Sequence, residues 1–306
     1  MKEAALAFDT SNYTTSCAVF DGETGENSGR LLDVRPGELG LRQSDALFSH
    51  VKRLPEVADK LAAGFCIVAV GASEKPRETE DSYMPCFLAG VSQAKVMAHF
   101  LGVPYFGFSH QQGHIAAASW SAGHPELLET EHLAWHLSGG TTELLRVRSE
   151  GVAVRCQIIG GTSDVSAGQL IDRAGQLLGL QFPSGKALDK LSKDAVKKLV
   201  YTPKRDGARF SLSGVEHKMR ELFDAGEAPE EIAYFALASM IRAVHRATES
   251  AVEEYGSMPI LYSGGVASNS LLRELTPDGI FAEPRYSTDN AMGTAILTMR
   301  AVRALG

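Results

Sequence analysis

Two histidines four residues apart, His110 and His114, are the side chains best suited to hold a metal ion. On a helix, positions i and i+4 share one face with their Cβ atoms close together, so both imidazoles can reach one ion. No third ligand is adjacent in the sequence. An ordinary helix start with two polar side chains is therefore the alternative, and spacing alone leaves both interpretations open.

The residues around the histidines predict the elements that position them. Residues 103–108 (Val-Pro-Tyr-Phe-Gly-Phe) are typical of a buried strand. Ser109 fits a helix N-cap, and Gln112 three residues later completes a capping box. The two histidines would then project from the first turn of a helix just beyond a strand end, where open α/β sheets bind their ligands.

A second group of candidate residues occurs twice, at a constant offset of 127 residues. The first copy, residues 7–17, contains Asp9 and Ser11, and the second, residues 134–144, contains Ser138, Gly139 and Gly140. In each copy a predicted strand is followed by a Ser-containing turn, two threonines and a second predicted strand. Such turns can offer backbone N–H groups and hydroxyls to a phosphate. The repeat favours a duplicated α/β architecture of the actin, sugar-kinase and Hsp70 (ASKHA) ATPase type, with two domains around a nucleotide cleft. Coincidental similarity of two hairpins is the alternative.

Further candidates lie at predicted helix starts. Gly264 and Gly265 lie between a predicted strand and a helix, where only glycine lets the backbone approach a ligand closely; packing glycines at a tight turn are the alternative. Asp172, on a helix after a Gly-rich turn, could meet a ribose hydroxyl or pair with a neighbouring Arg. Asp289 precedes the helix predicted from residue 291, either as its cap or as a carboxylate aimed at the cleft.

Composition bounds the class of protein. The chain has 306 residues, 44% of them hydrophobic, and four widely spaced cysteines without a Cys-x-x-Cys pair. These features predict two domains or one large one, reduced thiols, and a cytoplasmic protein that has no signal segment and no membrane span. The net charge of −7 is not a global nucleic-acid footprint. The segment from Lys186 to Arg220, however, contains ten Lys/Arg and four acidic residues, which gives it a net charge of +6. Such a segment suits either a solvated helix face or a surface for an anionic partner.

With these segments in order, the chain resembles the TsaD/Gcp family over nearly its whole length. That family, formerly labelled O-sialoglycoprotein endopeptidase, transfers a threonylcarbamoyl group to the adenosine beside the anticodon of tRNAs that read codons starting with A. His110 and His114 match its His-x-x-x-His metal motif, and Asp289 matches its Asp-Asn motif, which implies the third ligand. The zinc-protease pattern does not fit, because the Glu that follows the first His in those enzymes is absent.

The resemblance also implies the remaining site. The candidate catalytic residues are Asp9, Ser11 and Gln112. Implied nucleotide-binding residues are Ser138, Gly139, Gly140, Gly168, Asp172, Gly185, Gly264, Gly265 and Asn269. The implied cofactors are one divalent metal, with iron or zinc favoured over magnesium because imidazoles suit them, and ATP or threonylcarbamoyl-adenylate. Implied partners are tRNA, along the segment from Lys186 to Arg220, and TsaB-like and TsaE-like subunits or a second copy of this chain.

The chain departs from the family pattern at several polar positions. Tyr13 and Thr14 stand where the family has an Asp-Glu pair, and Gln112 and Gln169 each stand where it has a glutamate. Thr141 replaces a His, Glu143 replaces a Gln, and residues 74–78 replace a Gly-rich loop. Lost carboxylates remove candidates for general-base work. Three functions therefore stay open: the family's transfer, carbamoyl transfer to another acceptor, and a non-catalytic scaffold.

The expected domain organisation follows from the two hairpins. We expect a first actin-like domain over residues 1–120, with residues 290–306 packing back on it. A second actin-like domain would cover residues 121–289, with a helical insertion at about 164–225. Residues 228–255 are long and periodic and predict a core helix, whereas residues 73–85 predict a loop.

Overall fold

The computed structural model describes residues 1–11, 13–33, 41–79 and 81–306. Asn12, in the first predicted turn, and Glu80, in the predicted loop 73–85, lie outside the described residues. The strands are β1 (Lys2–Asp9), β2 (Thr14–Phe20), β3 (Gly25–Leu31), β4 (Phe65–Lys75), β5 (Tyr105–Ser109), β6 (His132–Leu137), β7 (Thr142–Glu150), β8 (Ala153–Thr162), β9 (Arg205–Asp206), β10 (Arg209–Phe210), β11 (Ile260–Ser263) and β12 (Ile280–Phe281). The helices are α1 (Gln43–Ala58), α2 (Leu88–Leu101), α3 (His110–Ser121), α4 (Ala167–Leu177), α5 (Gly185–Leu191), α6 (Ser213–Asp224), α7 (Pro229–Tyr255), α8 (Ser270–Glu274) and α9 (Met292–Arg303).

The chain forms two compact units. Unit 1 comprises Met1–Thr130, Arg148–Cys156 and Tyr286–Gly306, and unit 2 comprises Glu131–Val147 and Gln157–Arg285. Each unit has its own hydrophobic core. No helix among the described residues is long and apolar enough to cross a membrane.

The two sheets repeat one strand order, and this confirms the predicted duplicated fold. The first sheet has the order β3-β2-β1-β4-β5, and the second contains β8-β7-β6-β11-β12. In each sheet the leading hairpin is antiparallel, and its first strand pairs in parallel with the strand on its other side. The offset of 127 holds in the register as well, because Asp9 pairs with Ser16 and His136 pairs with Glu143.

Burial explains why the central strands form. Every residue from Ala4 to Asp9 is buried, as expected for a strand covered on both faces. In unit 2, α7 begins with Pro229 in its first turn, where the missing N–H costs nothing, and ends at Gly256 with φ 91°. Its buried face contributes much of that unit's core, as the periodicity of residues 228–255 predicts.

Two local predictions were wrong in extent. Strand β4 runs on to Lys75, so the segment predicted as a loop from residue 73 begins inside a strand. Strand β8 continues through Gly160 and Gly161 to Thr162, where a Gly-rich turn was predicted. Of the two roles considered for Asp289, the cap is excluded, because the N-cap position of the last helix is Ala291.

Candidate metal centre and glycine-lined cavity

The capping box predicted at Ser109 is present and sets the position of both histidines. The Ser109 hydroxyl accepts the Gln112 backbone N–H at 3.2 Å, and the Gln112 side-chain oxygen accepts the Ser109 N–H at 2.9 Å. This reciprocal pair fixes where α3 begins. His110 is consequently the first residue of α3, immediately after β5, and His114 lies one turn further along the same face.

Asp289 meets the two histidines in unit 1, although the chain places it far away in sequence. The Nε2 atoms of His110 and His114 are 2.8 Å apart. Asp289 Oδ1 lies 3.4 Å from the first Nε2 atom and 3.3 Å from the second. An ion held about 2.1 Å from each ligand atom separates neighbouring ligands by about 3.0 Å at right angles and about 3.4 Å in a tetrahedron. The three atoms therefore fit one transition-metal ion.

Asp9 sets the orientation of His110. Its Oδ2 lies 2.7 Å from His110 Nδ1, and its side chain is 1% exposed. Two further groups hold the carboxylate, since the Ser73 hydroxyl donates to Oδ2 and the Ser11 N–H donates to Oδ1 at 2.9 Å. A carboxylate that accepts a bond from Nδ1–H leaves Nε2 unprotonated and able to ligate. Asp9 therefore acts on the candidate metal through His110.

The electrostatics of the centre favour positive charge. Burial lowers the pKa of His110, but the neighbouring charges of Asp9 and Asp289 outweigh it and raise that pKa to about 10. Burial likewise opposes ionisation of Asp289, yet hydrogen bonds from His110 and His114 hold the pKa of its carboxyl far below the usual range. The buried carboxylate of Asp9 and the half-buried carboxylate of Asp289 thus stabilise a cation at this point, as a proton or as a metal ion.

The other two candidate catalytic residues, Ser11 and Gln112, differ in whether their side-chain polar atoms already form hydrogen bonds. The Ser11 hydroxyl is buried and has no hydrogen-bond partner among the described residues. Gln112, in contrast, is engaged at both ends of its amide, because Oε1 closes the capping box and Nε2 donates to the Val154 carbonyl at 2.8 Å. The structure gives Gln112 the task of holding α3 in place.

Sequence reasoning missed three residues at this centre. Thr14 donates its hydroxyl to Asp289 Oδ2 at 3.4 Å, from a position where the family has a carboxylate. Ser73 supports Asp9, and the Thr294 hydroxyl lies 3.0 Å from that of Ser73. These hydroxyls lie on β2, β4 and α9, and no local pattern in the sequence marks them.

Unit 2 contains a cavity of about 420 Å³ that gathers most of the predicted nucleotide-binding residues. Six of the nine line it: Gly139, Gly168, Asp172, Gly185, Gly265 and Asn269. Ser138, Gly140 and Gly264 are not among the lining residues. Ile171, Pro183, Asp189, Val266 and Ser268 complete the wall with Lys186, and sequence reasoning did not assign them to this site.

The glycines around this cavity serve two different purposes. A Cβ on Gly168 would lie 2.4 Å from Gly139 Cα, and one on Gly264, with φ 91°, would lie 2.2 Å from the Leu137 carbonyl oxygen. These two glycines are needed for close backbone packing. A Cβ on Gly139 or Gly265 would meet nothing within 4 Å. Open glycines beside a cavity leave room for a ligand to approach the backbone.

The polar residues of the cavity are partly committed to structure. Asp172 accepts the Ser184 N–H at 2.9 Å, which is neither of the two roles considered for it from the sequence. Asp189 accepts the Asn269 amide at 2.9 Å and also binds the backbone N–H of Ser270. The Ser138 hydroxyl accepts the N–H of residue 141 and so closes the turn between β6 and β7.

The basic segment from Lys186 to Arg220 is less positive at its surface than its composition indicates. Lys197 pairs with Glu227 at 2.6 Å. Lys218 and Arg220 pair along α6 with Glu221 and Glu216, at 3.7 and 3.2 Å. The charge of three of its ten cations is thereby neutralised locally.

Comparison with protein families gives one match that covers most of the chain. The model described as "TsaD: tRNA N6-adenosine threonylcarbamoyltransferase" matches residues 83–296. A tRNA N6-adenosine threonylcarbamoyltransferase of Carboxydothermus hydrogenoformans is 34% identical over 217 residues, which are 67% of this chain and 63% of that protein. A protein of the same name from Thermus thermophilus is 31% identical over 265 residues, 82% of this chain and 77% of that protein. The match thus spans less than two thirds of the length of the first relative.

Solved structures with similar folds share little sequence with this chain. Full-length HypF in its phosphate- and nucleotide-bound form aligns with a TM-score of 0.63 at 13% identity, over 98% of this chain and 56% of that one. The activator of the 2-hydroxyisocaproyl-CoA dehydratase from Clostridium difficile, with bound ADPNP, aligns with a TM-score of 0.55 at 14% identity, over 99% and 96%. These similarities support the duplicated actin-like fold.

Proposed function

The chain belongs to the TsaD family of tRNA N6-adenosine threonylcarbamoyltransferases, and we propose that it transfers a threonylcarbamoyl group from threonylcarbamoyl-adenylate to N6 of the adenosine next to the tRNA anticodon. The observation that carries the proposal is the convergence of His110, His114 and Asp289 on one point. A protein that only binds partners has no need of three ligand atoms held at the separations of a metal site.

Each residue at the metal centre has a distinct part in the proposed reaction. When bound, a divalent ion supplies Lewis-acid polarisation of the carbamoyl carbonyl. Asp9 keeps the proton of His110 on Nδ1, and Thr14 donates a hydrogen bond to Oδ2 of Asp289, the carboxylate oxygen other than the candidate ligand atom. Ser11 helps to hold Asp9 through its backbone N–H, and its own hydroxyl is buried without a partner among the described residues. Iron or zinc is the proposed ion, because two imidazoles and a carboxylate suit either.

The cavity of unit 2 is the proposed site for the adenylate. Its volume of about 420 Å³ suits a nucleoside-sized ligand. Gly139 and Gly265 leave open space beside the backbone, where the phosphate and base can approach N–H groups closely. Lys186 on the same wall adds a positive charge for the phosphate.

Proposed partners follow from the same activity. The acceptor is tRNA, contacted in part by the unpaired cations between Lys186 and Arg220. TsaB-like and TsaE-like subunits, or a second copy of this chain, would complete the assembly, as the family resemblance implies.

Carbamoyl transfer to another acceptor is the second candidate function. The replacement of two carboxylates by Tyr13 and Thr14 favours it, since Thr14 contacts the candidate ligand Asp289. Gln112 and Gln169 do not argue for it, because each forms a capping box at the start of a helix. For the same reason they do not argue for the scaffold.

A single-turnover assay on unmodified tRNA tests the proposal. Purified protein, threonine, bicarbonate, ATP, the adenylate-forming enzyme and the bacterial partner subunits are combined, and modified adenosine is measured by mass spectrometry. We expect transfer by the wild type and none by His110→Ala. A wild type that binds metal and ATP but leaves tRNA unmodified would overturn the proposal and turn the search to other acceptors.

A further inference from the structure

A groove runs along α7 in unit 2, apart from the residues assigned to the proposed reaction. One cavity of about 550 Å³ is lined by Tyr234, Arg242 and Arg246 among others. A second cavity, of about 300 Å³, shares His245, Glu249 and a leucine with the first, so the two adjoin. We call this feature the α7 groove. From residue 234 to residue 249 it follows the helix for roughly 22 Å.

Two arginines lie on one side of the α7 groove. Arg242 and Arg246 are four residues apart, so their side chains leave the helix on the same face. The guanidinium of Arg242 donates to the Thr202 hydroxyl at 3.2 Å and has no acidic partner among the described residues. The guanidinium of Arg246 makes neither a hydrogen bond nor an ion pair with any described side chain. Both arginines therefore retain donors for an anion.

The segment before β9, together with Arg205 of that strand, is held against α7 by hydrogen bonds. The backbone N–H of Tyr201 donates to the Ser239 hydroxyl at 2.9 Å. The Arg205 guanidinium donates to the Arg246 carbonyl at 2.7 Å and contacts the Ser250 hydroxyl. Part of the basic segment is thus tied to α7. In the first cavity Arg242 and Arg246 face one carboxylate, that of Glu249, and the second cavity adds the carboxylate of Asp278. The positive charge of the groove is therefore confined to its first cavity.

The chemistry of the groove suits a single strand of nucleic acid. Proteins that hold such strands combine cations that track the phosphates with aromatic side chains on which bases stack. Arg242 and Arg246 supply the first, and the half-buried ring of Tyr234 supplies the second. The apolar wall formed by residues 238 and 241 adds contact area for a base. A groove of roughly 22 Å also exceeds the length of one mononucleotide.

We propose that the α7 groove is an RNA-binding site, in which Arg242 and Arg246 contact phosphates and Tyr234 stacks on an unpaired base. The choice of RNA as the occupant rests on the proposed function, in which tRNA is the acceptor. The site is distinct from the glycine-lined cavity, with which it shares no lining residue.

Salt-dependent binding of the full chain to fluorescent unmodified tRNA tests this site. Arg242→Gln combined with Arg246→Gln removes two phosphate contacts and keeps good helix formers on α7. We expect the slope of log affinity against log salt to fall by about 1.4 and the affinity at 0.1 M salt to drop about 25-fold. Lys52→Gln combined with Lys60→Gln removes the same charge from exposed positions in unit 1 and should change neither quantity by more than two-fold.

Tyr234→Leu separates stacking from charge. It should weaken binding about five-fold or more without changing the salt slope. An unchanged slope and affinity in the double arginine variant would overturn the proposal, provided that thermal unfolding shows an intact fold. Displacement of the tRNA by inorganic phosphate or ATP, lost in the same variant, would also overturn it and assign a mononucleotide site instead.

These experiments distinguish a failure of the proposed RNA site from a failure of the proposed transfer activity. If the groove variants lose tRNA affinity while no protein transfers threonylcarbamoyl, the RNA site stands and the proposed activity falls. If transfer proceeds and the groove variants bind tRNA normally, the activity stands and the RNA site falls.

Discussion

Replacing Asp9 by Asn tests whether this carboxylate prepares His110 for metal binding. Asp9 Oδ2 accepts a bond from His110 Nδ1 at 2.7 Å, while Oδ1 accepts the Ser11 N–H. An Asn that keeps the bond from Ser11 turns its NH₂ toward His110 Nδ1. The imidazole must then carry its proton on Nε2, the atom that faces the other ligands. The variant therefore alters the contacts that His110 and Ser73 make with this atom and blocks one ligand.

The expected magnitude follows from this geometry. Loss of a partner that orients a metal-bound histidine lowers metal affinity about 10- to 100-fold, which corresponds to about 1.4–2.7 kcal/mol. Asp9→Asn should fall in this range for Zn²⁺. Ser73→Ala should lose less, because the contact between Asp9 and His110 remains.

Competition with a chromophoric chelator measures the affinity, and nitrogen NMR of the histidine rings reports the tautomer. Asp21→Asn, which removes a carboxylate bound to Lys2 elsewhere in unit 1, is a matched control and should bind Zn²⁺ like the wild type. If Asp9→Asn binds Zn²⁺ within two-fold of the wild type, with a normal unfolding temperature, the orienting role assigned to Asp9 is refuted.

Three further predictions concern stability and the second unit. Gly168→Ala should lower the free energy of unfolding by about 1–3 kcal/mol, because its Cβ would overlap the backbone turn that follows β6. Gly139→Ala should leave the free energy of unfolding unchanged but weaken ATP binding, as measured by calorimetry. Gln112→Glu should cost about 1–3 kcal/mol, since it sets a buried oxygen against a backbone carbonyl. Gln169→Glu, at an exposed position, should stay within about 0.5 kcal/mol in the same urea titration. Finally, hydrogen bonds from hydroxyls and backbone N–H groups outweigh burial and hold the pKa of Asp164 well below its usual range. Its stabilising effect is thus present above the unfolded pKa near 4 and is lost as the pH falls toward the folded pKa. The difference in unfolding free energy between wild type and Asp164→Asn should accordingly narrow below about pH 4, and a constant difference would contradict this.

Features that depend on neighbours along the chain were predictable from the sequence. The capping box at Ser109 follows from residue types three positions apart, and it is present with both of its hydrogen bonds. The duplicated hairpin was recognisable because a strand, a turn and a second strand are contiguous, and the offset of 127 holds in the register. Local steric and hydrogen-bonding preferences decide such features, so a short stretch of sequence is sufficient.

Roles that depend on distant residues needed the fold. Asp9 and His110 are 101 residues apart, and Thr14 and Asp289 are 275 apart, so no spacing rule relates them. The resemblance indicated Asp289 as a ligand, but neither it nor the sequence pattern indicated that Thr14 and Ser73 support the centre. Only the packing of strands and helices brings these groups within hydrogen-bond distance.

The meaning of a residue type was also decided by its surroundings. Gly264 and Gly265 are adjacent, yet a Cβ on the first would collide with the backbone and a Cβ on the second would meet open space. Gln112, a candidate catalytic residue from its position in the motif, is committed at both ends to backbone groups. The sequence by itself determined the helix start, the paired hairpins and the spacing of the histidines, because local forces set them. Tertiary structure decided which carboxylate orients a ligand, which glycines line a cavity and which amide is structural, because those depend on atoms that only folding brings together.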